Sequence, residues 1–374
     1  MAISPDALQM IARLTPLAEV LAMVDLDVKP VGQRTIDVFA GAGRVLAADA
    51  NAPARPSAAI ALQDGWALAA DDTIGAGGYT PTMLMRVPPR VEVGQAMPAG
   101  TDSVAPLDAV KVSAGQAEAL VTVNPGDGVL PAGGDADPAI PLRRAGERLQ
   151  LTDLAAFSAA GIARVVVREP RVRVLPLRGN GIVAAAGRLI VGDCERRGGA
   201  ARLDEGGRGL AVALAAETAD AIVAIGGTGT GRNDNSVHML TREGRVAVHG
   251  MAIAPGETAA LGFAGARPVL LLPGRLDAAL AVWLTVGRRM LDRLAGAAPK
   301  EHEGAETLPL ARKVASTVGL AELVPVRRIE GQAEPLASRY LSVSALARSD
   351  GWVLVPAESE GYSAGASVQV RPWP

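Results

Sequence analysis

Apolar positions recur along this chain in three rhythms. Near the start, "SPDALQMIARLTPLAEVLAMVD" spaces them at helical intervals, and Thr15-Pro16 reads as an N-cap followed by proline at the first helical position. "TIDVFAGAGRVLAADANAP" adds a short strand and a small helix. From Pro53 to about Leu130 the texture changes: short alternating stretches such as "TMLMRVPPRVEV" and "EALVTVNP", punctuated by Gly and Pro, predict small β-rich structure. "LRRAGERLQLTDLAAFSAAGIARVVVRE" returns to helix, with Thr152 and Asp153 near its start.

A second rhythm follows "REPRVRVLPL". A strand over 172–177 leads to a Gly/Ala-rich helix. A helix near 209–217 leads into the strand "AIVAI", a glycine loop and another helix. "RPVLLLPG" reads as a buried strand and "LDAALAVWLTVGRRMLDRLAG" as a long helix. Strands alternating with helices imply a mostly parallel sheet with crossover helices. The last ~70 residues lose that alternation: "ELVPVRRI", "GWVLVPA" and "SVQVRPW" are short strands between turns, as in a small β-barrel or sandwich. The pattern is a mosaic of helical base, β-rich insert, α/β domain and β tail.

Length and composition fit that division. A chain of 374 residues exceeds one ordinary core, and apolar residues make up 49% of it. Aromatics are 3%, so the cores rest on Ala, Val, Leu and Ile. A net charge of −2 with no basic block excludes general nucleic-acid binding. Lys29, Lys111, Lys300 and Lys313 are the only lysines among 37 basic residues, so a site needing cations draws on arginine. The single Cys194 excludes an intramolecular disulfide, and His238, His249 and His302 lack metal-ligand spacing. No apolar run approaches the ~18 residues of a membrane span, and no basic-then-apolar leader opens the chain, so the expected location is cytoplasmic.

The chemistry concentrates in "IGGTGTGRNDNS" (225–236), at the C-terminal end of the strand "AIVAI". Ligands of open α/β sheets bind in that crevice. Gly226, Gly227, Gly229 and Gly231 let backbone N–H groups approach phosphate oxygens, and Thr228 and Thr230 add hydroxyls. The stretch is neither a Walker A motif nor the dinucleotide fingerprint, and a structural turn is the alternative reading. A second strand-end glycine loop, "LLLPGRLDAA" (270–279), holds Pro273, Gly274 and Arg275, with Asp277 placed to cap the next helix.

Taken in order, these segments resemble the MoeA-type molybdopterin molybdenumtransferases, a family that includes the gephyrin E domain. "LTPLAEVLAMV…GAGRVLAADANAP", "QDGWAL", "GQAMPAGTDSVAPLD", "LPAGGDAD", "GGTGTGRND" and "LPGRLDAA" match that family's motifs along nearly the whole chain. The resemblance implies a helical base over 1–51 and 134–166 and a β-rich inserted domain over 52–133. It further implies a MogA/MoaB-like three-layer α/β domain over 167–304 and a small β-barrel over 305–374. It implies a homodimer that binds molybdopterin in its adenylylated form, admits molybdate and releases the nucleotide with a divalent cation such as Mg2+. A client molybdoenzyme is the further partner expected. Asp64, Asp135 and Asp220 correspond to the family's catalytic carboxylates, and Asp64 and Asp234 to its cation ligands, although Asp beside Gly is also ordinary turn chemistry. Ser338 and Ser344 correspond to family serines of the tail.

The sequence departs from the family in one direction. The Thr-Gly-Asp-Glu-Leu motif is either remodelled as Arg178-Gly179-Asn180-Gly181-Ile182 or deleted. Val93 stands for a threonine, Pro325 for a tail arginine, and Ala254 and Glu257 for both lysines of Lys-Pro-Gly-Lys. A unit charge at ~4 Å is worth roughly 1 kcal/mol in water and ~4 at an effective dielectric of 20. Losing two lysines and gaining a glutamate therefore disfavours a dianion there, whereas a backbone phosphate grip needs no lysine. Two functions follow: an enzyme whose missing cations are supplied by Arg178, Arg232, Arg275 or Arg327, or a non-catalytic carrier of molybdopterin or finished cofactor. A scaffold that kept only the fold is a third.

Overall fold

The computed structural model describes residues 9–177, 181–204, 209–216, 218–299 and 304–374. The chain forms two compact units. Met1–Ala47, Gly146–Gln150 and Val166–Pro374 make the larger, and Ala48–Ala145 with Leu151–Val165 the smaller.

In the smaller unit, short strands pair into three small sheets. Gln116–Ala119 lies between Thr82–Leu84 and Val110–Ser113, Gly65–Leu68 lies between Arg90–Val91 and Ser103–Ala105, and Ile60–Ala61 pairs with Val129–Leu130. Helix Leu151–Ala159 buries Leu154 and Phe157, and its Asp153 accepts from Arg143 Nε at 2.8 Å. The expected β-rich insert is therefore present, and the helix starts one residue before Thr152.

The larger unit is built around a six-stranded sheet. Its strands in chain order are β1 (Arg171–Pro176), β2 (Ala200–Leu203), β3 (Ala221–Ile225), β4 (Arg245–His249), β5 (Ala260–Ala264) and β6 (Arg267–Leu272), in spatial order β2-β1-β3-β6-β5-β4. The first four in that order run parallel; β5 pairs antiparallel with β6, and β4 pairs antiparallel with β5, so β5 alone is reversed. All five residues of β3 are buried, as a strand covered on both faces requires. Val223, Ile225, Leu270 and Leu272 pack on one face against α1 (Gly181–Arg196) and α4 (Leu276–Val282). Ile222, Ala224, Val269 and Leu271 pack on the other against α2 (Leu210–Ala215) and α3 (Ser236–Glu243). Alternate residues thus face opposite helical layers, which is the three-layer α/β fold the sequence implied. The long helix continues through a π-turn at Trp283–Gly287 into α5 (Arg288–Ala295). Buried Asp193 of α1 is fixed there by Trp283 Nε1 (2.7 Å) and bidentate Arg288 (2.8 and 2.8 Å). Burial pushes its pKa up, but the Arg288 hydrogen bonds and charge and the Trp283 bond outweigh it, leaving the net direction down.

The tail forms a small barrel. Strand 306–309 pairs with 367–372, then 351–355, 321–329 and 332–335 follow in order. A parallel bridge between Leu310 and Ala333 closes the ring. Strand Met251–Ala254 adds to the same sheet through Ala321–Glu322, and Thr15–Pro16 adds to it in turn. That placement corrects the N-terminal expectation: Thr15 is strand and caps nothing, its N–H donating to Gly250 O at 2.9 Å, and the helix runs only over Leu17–Asp27. A long-range strand pairing overrides local helical spacing. Similarly, the small helix expected after Thr35 is a 3-10 turn, Val38–Gly41, capped by the Asp37 side chain.

Candidate functional site

The two glycine loops leave the same edge of the sheet from neighbouring parallel strands. β3 and β6 end in register at Ile225 and Leu272, and the Gly226 N–H donates to Leu272 O at 2.8 Å. A Cβ on Gly274 would lie 3.6 Å from Gly226 Cα, so the loops touch. Gly226 and Gly227 take φ of 104° and 75°, a backbone region that excludes most side chains. Gly229 and Gly231 serve a different end. The Asp234 carboxylate folds back over them, with Gly231 N–H donating to Asp234 Oδ2 at 3.2 Å, and a Cβ on Gly229 would sit 2.8 Å from that oxygen. The loop therefore already cradles an anionic oxygen, its own, against backbone N–H.

Residues distant in sequence hold the loop in this shape. Gln9 Nε2 donates to Gly229 O (2.9 Å) and Gly227 O (3.3 Å), while its Oε1 accepts from His238 N in the first turn of α3. Ser236 Oγ donates to Gly227 O at 2.6 Å. Thr228 is 2% exposed and its hydroxyl meets Thr258 Oγ1 at 3.0 Å, so it braces the loop from within, whereas Thr230 is exposed. His249 Nε2 lies 3.2 Å from Thr228 O. Burial pushes the imidazole pKa down, with the Thr228 contact opposing. A neutral ring that donates from Nε2 to this carbonyl fits both facts.

The second loop is joined to the tail. Asp277, 3% exposed, receives Arg275 Nε (3.1 Å) and NH2 (2.5 Å) and the Leu341 N–H (3.1 Å). The Arg275 guanidinium stands 5.1 Å from the Tyr340 ring centre. Its pKa is raised, first by the Asp277 hydrogen bond and further by the charges of Asp277 and Glu257. Pro273, Gly274 and Arg275 thus meet the segment carrying Ser338 and Ser344. Both serines are exposed, and Ser344 Oγ contacts Ser342 Oγ at 3.0 Å.

Other nominated residues lie elsewhere. Asp220 precedes β3, at the opposite edge of the sheet from the glycine loop, and is bound by Arg171 through its N–H, Nε and NH2. Five strand residues at ~3.3 Å each put it roughly 16 Å from the loop. Asp64 and Asp135 belong to the smaller unit. Asp64 Oδ1 accepts from Val93 N (2.9 Å), and exposed Asp135 pairs with Arg55 at 3.3 Å. Among the described residues, no group of three or more His, Cys, Asp or Glu side chains is arranged to hold a metal. Of the arginines proposed to replace lysine, Arg275 is matched by Asp277, Arg327 by Glu334 (2.6 Å), and Arg232 is exposed. Arg178, Gly179 and Asn180 lie outside the described residues. Ala254 is buried in its strand, and the Glu257 carboxylate accepts from Gly256 N at 3.0 Å.

Comparison with known proteins fits this architecture. Residues 6–161 match the MoeA N-terminal region (domain I and II), 204–293 the "Probable molybdopterin binding domain", and 307–373 the MoeA C-terminal region (domain IV). A protein of Methanocaldococcus jannaschii named for molybdopterin biosynthesis is 25% identical, over 90% of this chain and 91% of its own. Two structures of the MoeA protein from Pyrococcus horikoshii superpose with a TM-score of 0.77 each. They are 25% and 22% identical, covering 97% and 96% of this chain and 100% and 99% of theirs. A molybdenum cofactor biosynthesis protein from Pyrococcus furiosus superposes at 0.59, with 21% identity over 96% of this chain and 100% of its own. With its paired strand-end loops and three family domains in order, the chain belongs to the MoeA-type molybdopterin biosynthesis family.

Proposed function

We propose that the chain binds molybdopterin, in its adenylylated form, by a phosphate at the twin glycine loops and promotes molybdate insertion. The observation that carries this reading is the loop's own chemistry: Gly231 N–H already binds a carboxylate oxygen, and Gly229 leaves room for it. A ligand phosphate would take that position and displace Asp234 toward the phosphate's outer oxygens. Asp234 is then placed to hold a divalent cation such as Mg2+ jointly with the ligand, since Mg2+ is commonly bound by one or two carboxylates plus substrate phosphates. When bound, the cation would neutralise phosphate charge. Gly226, Gly227 and the Thr230 hydroxyl complete the grip, and Pro273, Gly274 and Arg275 form the facing wall with the 338–344 segment. By the family resemblance Asp64 and Asp135 supply carboxylates for the reaction, in a homodimer that delivers product to a client molybdoenzyme.

Glu257 bears on the insertion step. It adds negative charge beside Arg275, whose own charge is already matched by Asp277. Molybdate entry is therefore the weak half of the reaction. Reconstitution with adenylylated molybdopterin, molybdate and Mg2+ tests the reading through AMP release and cofactor formation. Turnover that Asp64→Asn and Asp234→Asn each reduce supports it. Tight pterin binding without turnover assigns the chain a carrier role instead.

A further inference from the structure

The segment 9–14 runs from the glycine loop to the strand pairing of Thr15 with Met251. It is anchored at Gly250. The Thr15 N–H donates to Gly250 O at 2.9 Å, and a Cβ on Gly250 would lie 2.5 Å from Ile11 Cγ2 and 3.1 Å from Arg13 O. Gly250 also takes φ of 94°, so glycine lets the segment pass this close. At the other end of the segment Gln9 is 7% exposed, and its amide orientation is chemically determined. Nε2 faces two carbonyls, Gly227 O at 3.3 Å and Gly229 O at 2.9 Å, and Oε1 faces the His238 N–H at 3.1 Å. A flipped amide would set oxygen against two oxygens and N–H against N–H.

These bonds fix more than the two carbonyls. In a trans peptide the C=O and the following N–H share one plane and point in opposite directions. Among the described residues the cis peptides are Arg55-Pro56 and Ala254-Pro255, so the 227–228 and 229–230 peptides are trans. With both carbonyls drawn toward Gln9, the Thr228 and Thr230 N–H groups point to the opposite side of the loop. Other donors hold the loop carbonyls the same way: Gly227 O also takes Ser236 N (3.1 Å) and Ser236 Oγ (2.6 Å), and Thr228 O faces His249 Nε2. The loop thus spends its carbonyls on the protein's own donors. Closely spaced backbone N–H groups turned to one side make an anion-binding concavity.

We propose that Gln9 is a positioning residue for the phosphate grip: by holding the Gly227 and Gly229 carbonyls it aims the Thr228 and Thr230 N–H groups at a phosphate oxygen. This role rests on the loop being a phosphate site, as proposed above. Inorganic pyrophosphate is the probe, titrated into the full-length protein isotopically labelled at its threonine amides and glycine carbonyls and followed by NMR. In wild type it is expected to shift the Thr228 and Thr230 amide signals saturably. Gln9→Met should weaken that binding at least tenfold and move the Gly227 and Gly229 carbonyl signals before any anion is added. Gln9→Lys keeps a donor and loses the acceptor for His238; it should return both carbonyl signals toward their wild-type positions, a rescue that a space-filling role would not show. Hydrogen exchange in β3 should stay unchanged in both variants. If pyrophosphate shifts both amides while adenylylated molybdopterin fails to bind, the role of Gln9 stands and the pterin reading falls. The role of Gln9 is overturned if adenylylated molybdopterin binds while both amides stay still, or if pyrophosphate moves neither. It is equally overturned if folded Gln9→Met binds pyrophosphate within threefold of wild type, or if Gln9→Lys leaves the two carbonyl signals as displaced as Gln9→Met does.

Discussion

Asp277→Ala removes the carboxylate that joins the second glycine loop to the tail. Two losses beyond the local bond from the Ala278 N–H (2.9 Å) set the size of the effect. The ion pair with Arg275 contributes only ~0–1 kcal/mol, because that side chain is 55% exposed. The Leu341 N–H loses its acceptor at a residue 2% exposed, which costs ~1–3 kcal/mol. Together these give about 1–4 kcal/mol, or roughly 5–900-fold in a local opening equilibrium. Global unfolding is a poor readout for a chain of two units, so the assay is hydrogen exchange resolved by peptide. Exchange over 338–346 should accelerate by that factor, with little change in the smaller unit. Asp277→Asn retains one acceptor and should show a smaller acceleration. If Asp277→Ala leaves exchange over 338–346 within threefold of wild type, Asp277 does not hold the tail to the loop and the reasoning fails.

Three further outcomes are expected. Gly229→Ala should weaken pterin binding, since its Cβ would meet Asp234 Oδ2 at 2.8 Å, whereas Gly274→Ala, with 3.6 Å to its nearest neighbour, should keep the fold; calorimetry and circular dichroism distinguish them. His249 has a folded pKa below its unfolded value near ~6.5, so its contribution is present above that pH and is lost as pH falls through the lowered value. The difference in thermal stability between wild type and His249→Gln should therefore change below about pH 6.5 and stay flat above it. Asp193→Ala should cost about 3–5 kcal/mol, read as faster peptide-resolved hydrogen exchange over 181–196 and 283–295, because it strands the Arg288 charge and the Trp283 N–H.

The sheet and its loops were legible in the sequence because their signals are local. Five apolar residues followed by Gly-Gly announce a buried parallel strand ending in a turn, and "RPVLLLPG" repeats the message. The braces were not legible. Gln9 reaches a loop more than two hundred residues away, and His249 and Thr258 act through single contacts that no periodicity records. Thr228 was read as a ligand donor, yet alternation could not reveal that its hydroxyl turns inward to Thr258. Asp220 joins the candidate carboxylates through its match to the family motif. Strand polarity separates it from the glycine loop, since a residue before a parallel strand and a loop after it occupy opposite edges of the sheet.

Strand Met251–Ala254 springs from the α/β region yet hydrogen-bonds to the tail barrel through Ala321–Glu322. The two regions are thus stitched by main-chain pairing and do not behave as beads on a string. Trimming the chain near residue 304 to isolate the molybdopterin-binding segment would bare the unpaired amides of that strand along a fully buried sequence, Met-Ala-Ile-Ala. Such a bared edge recruits foreign strands. A fragment cut there would come out of expression as oligomers or inclusion bodies even though every residue of its ligand loop is intact, and the tail would be recognised as the seal on a seam.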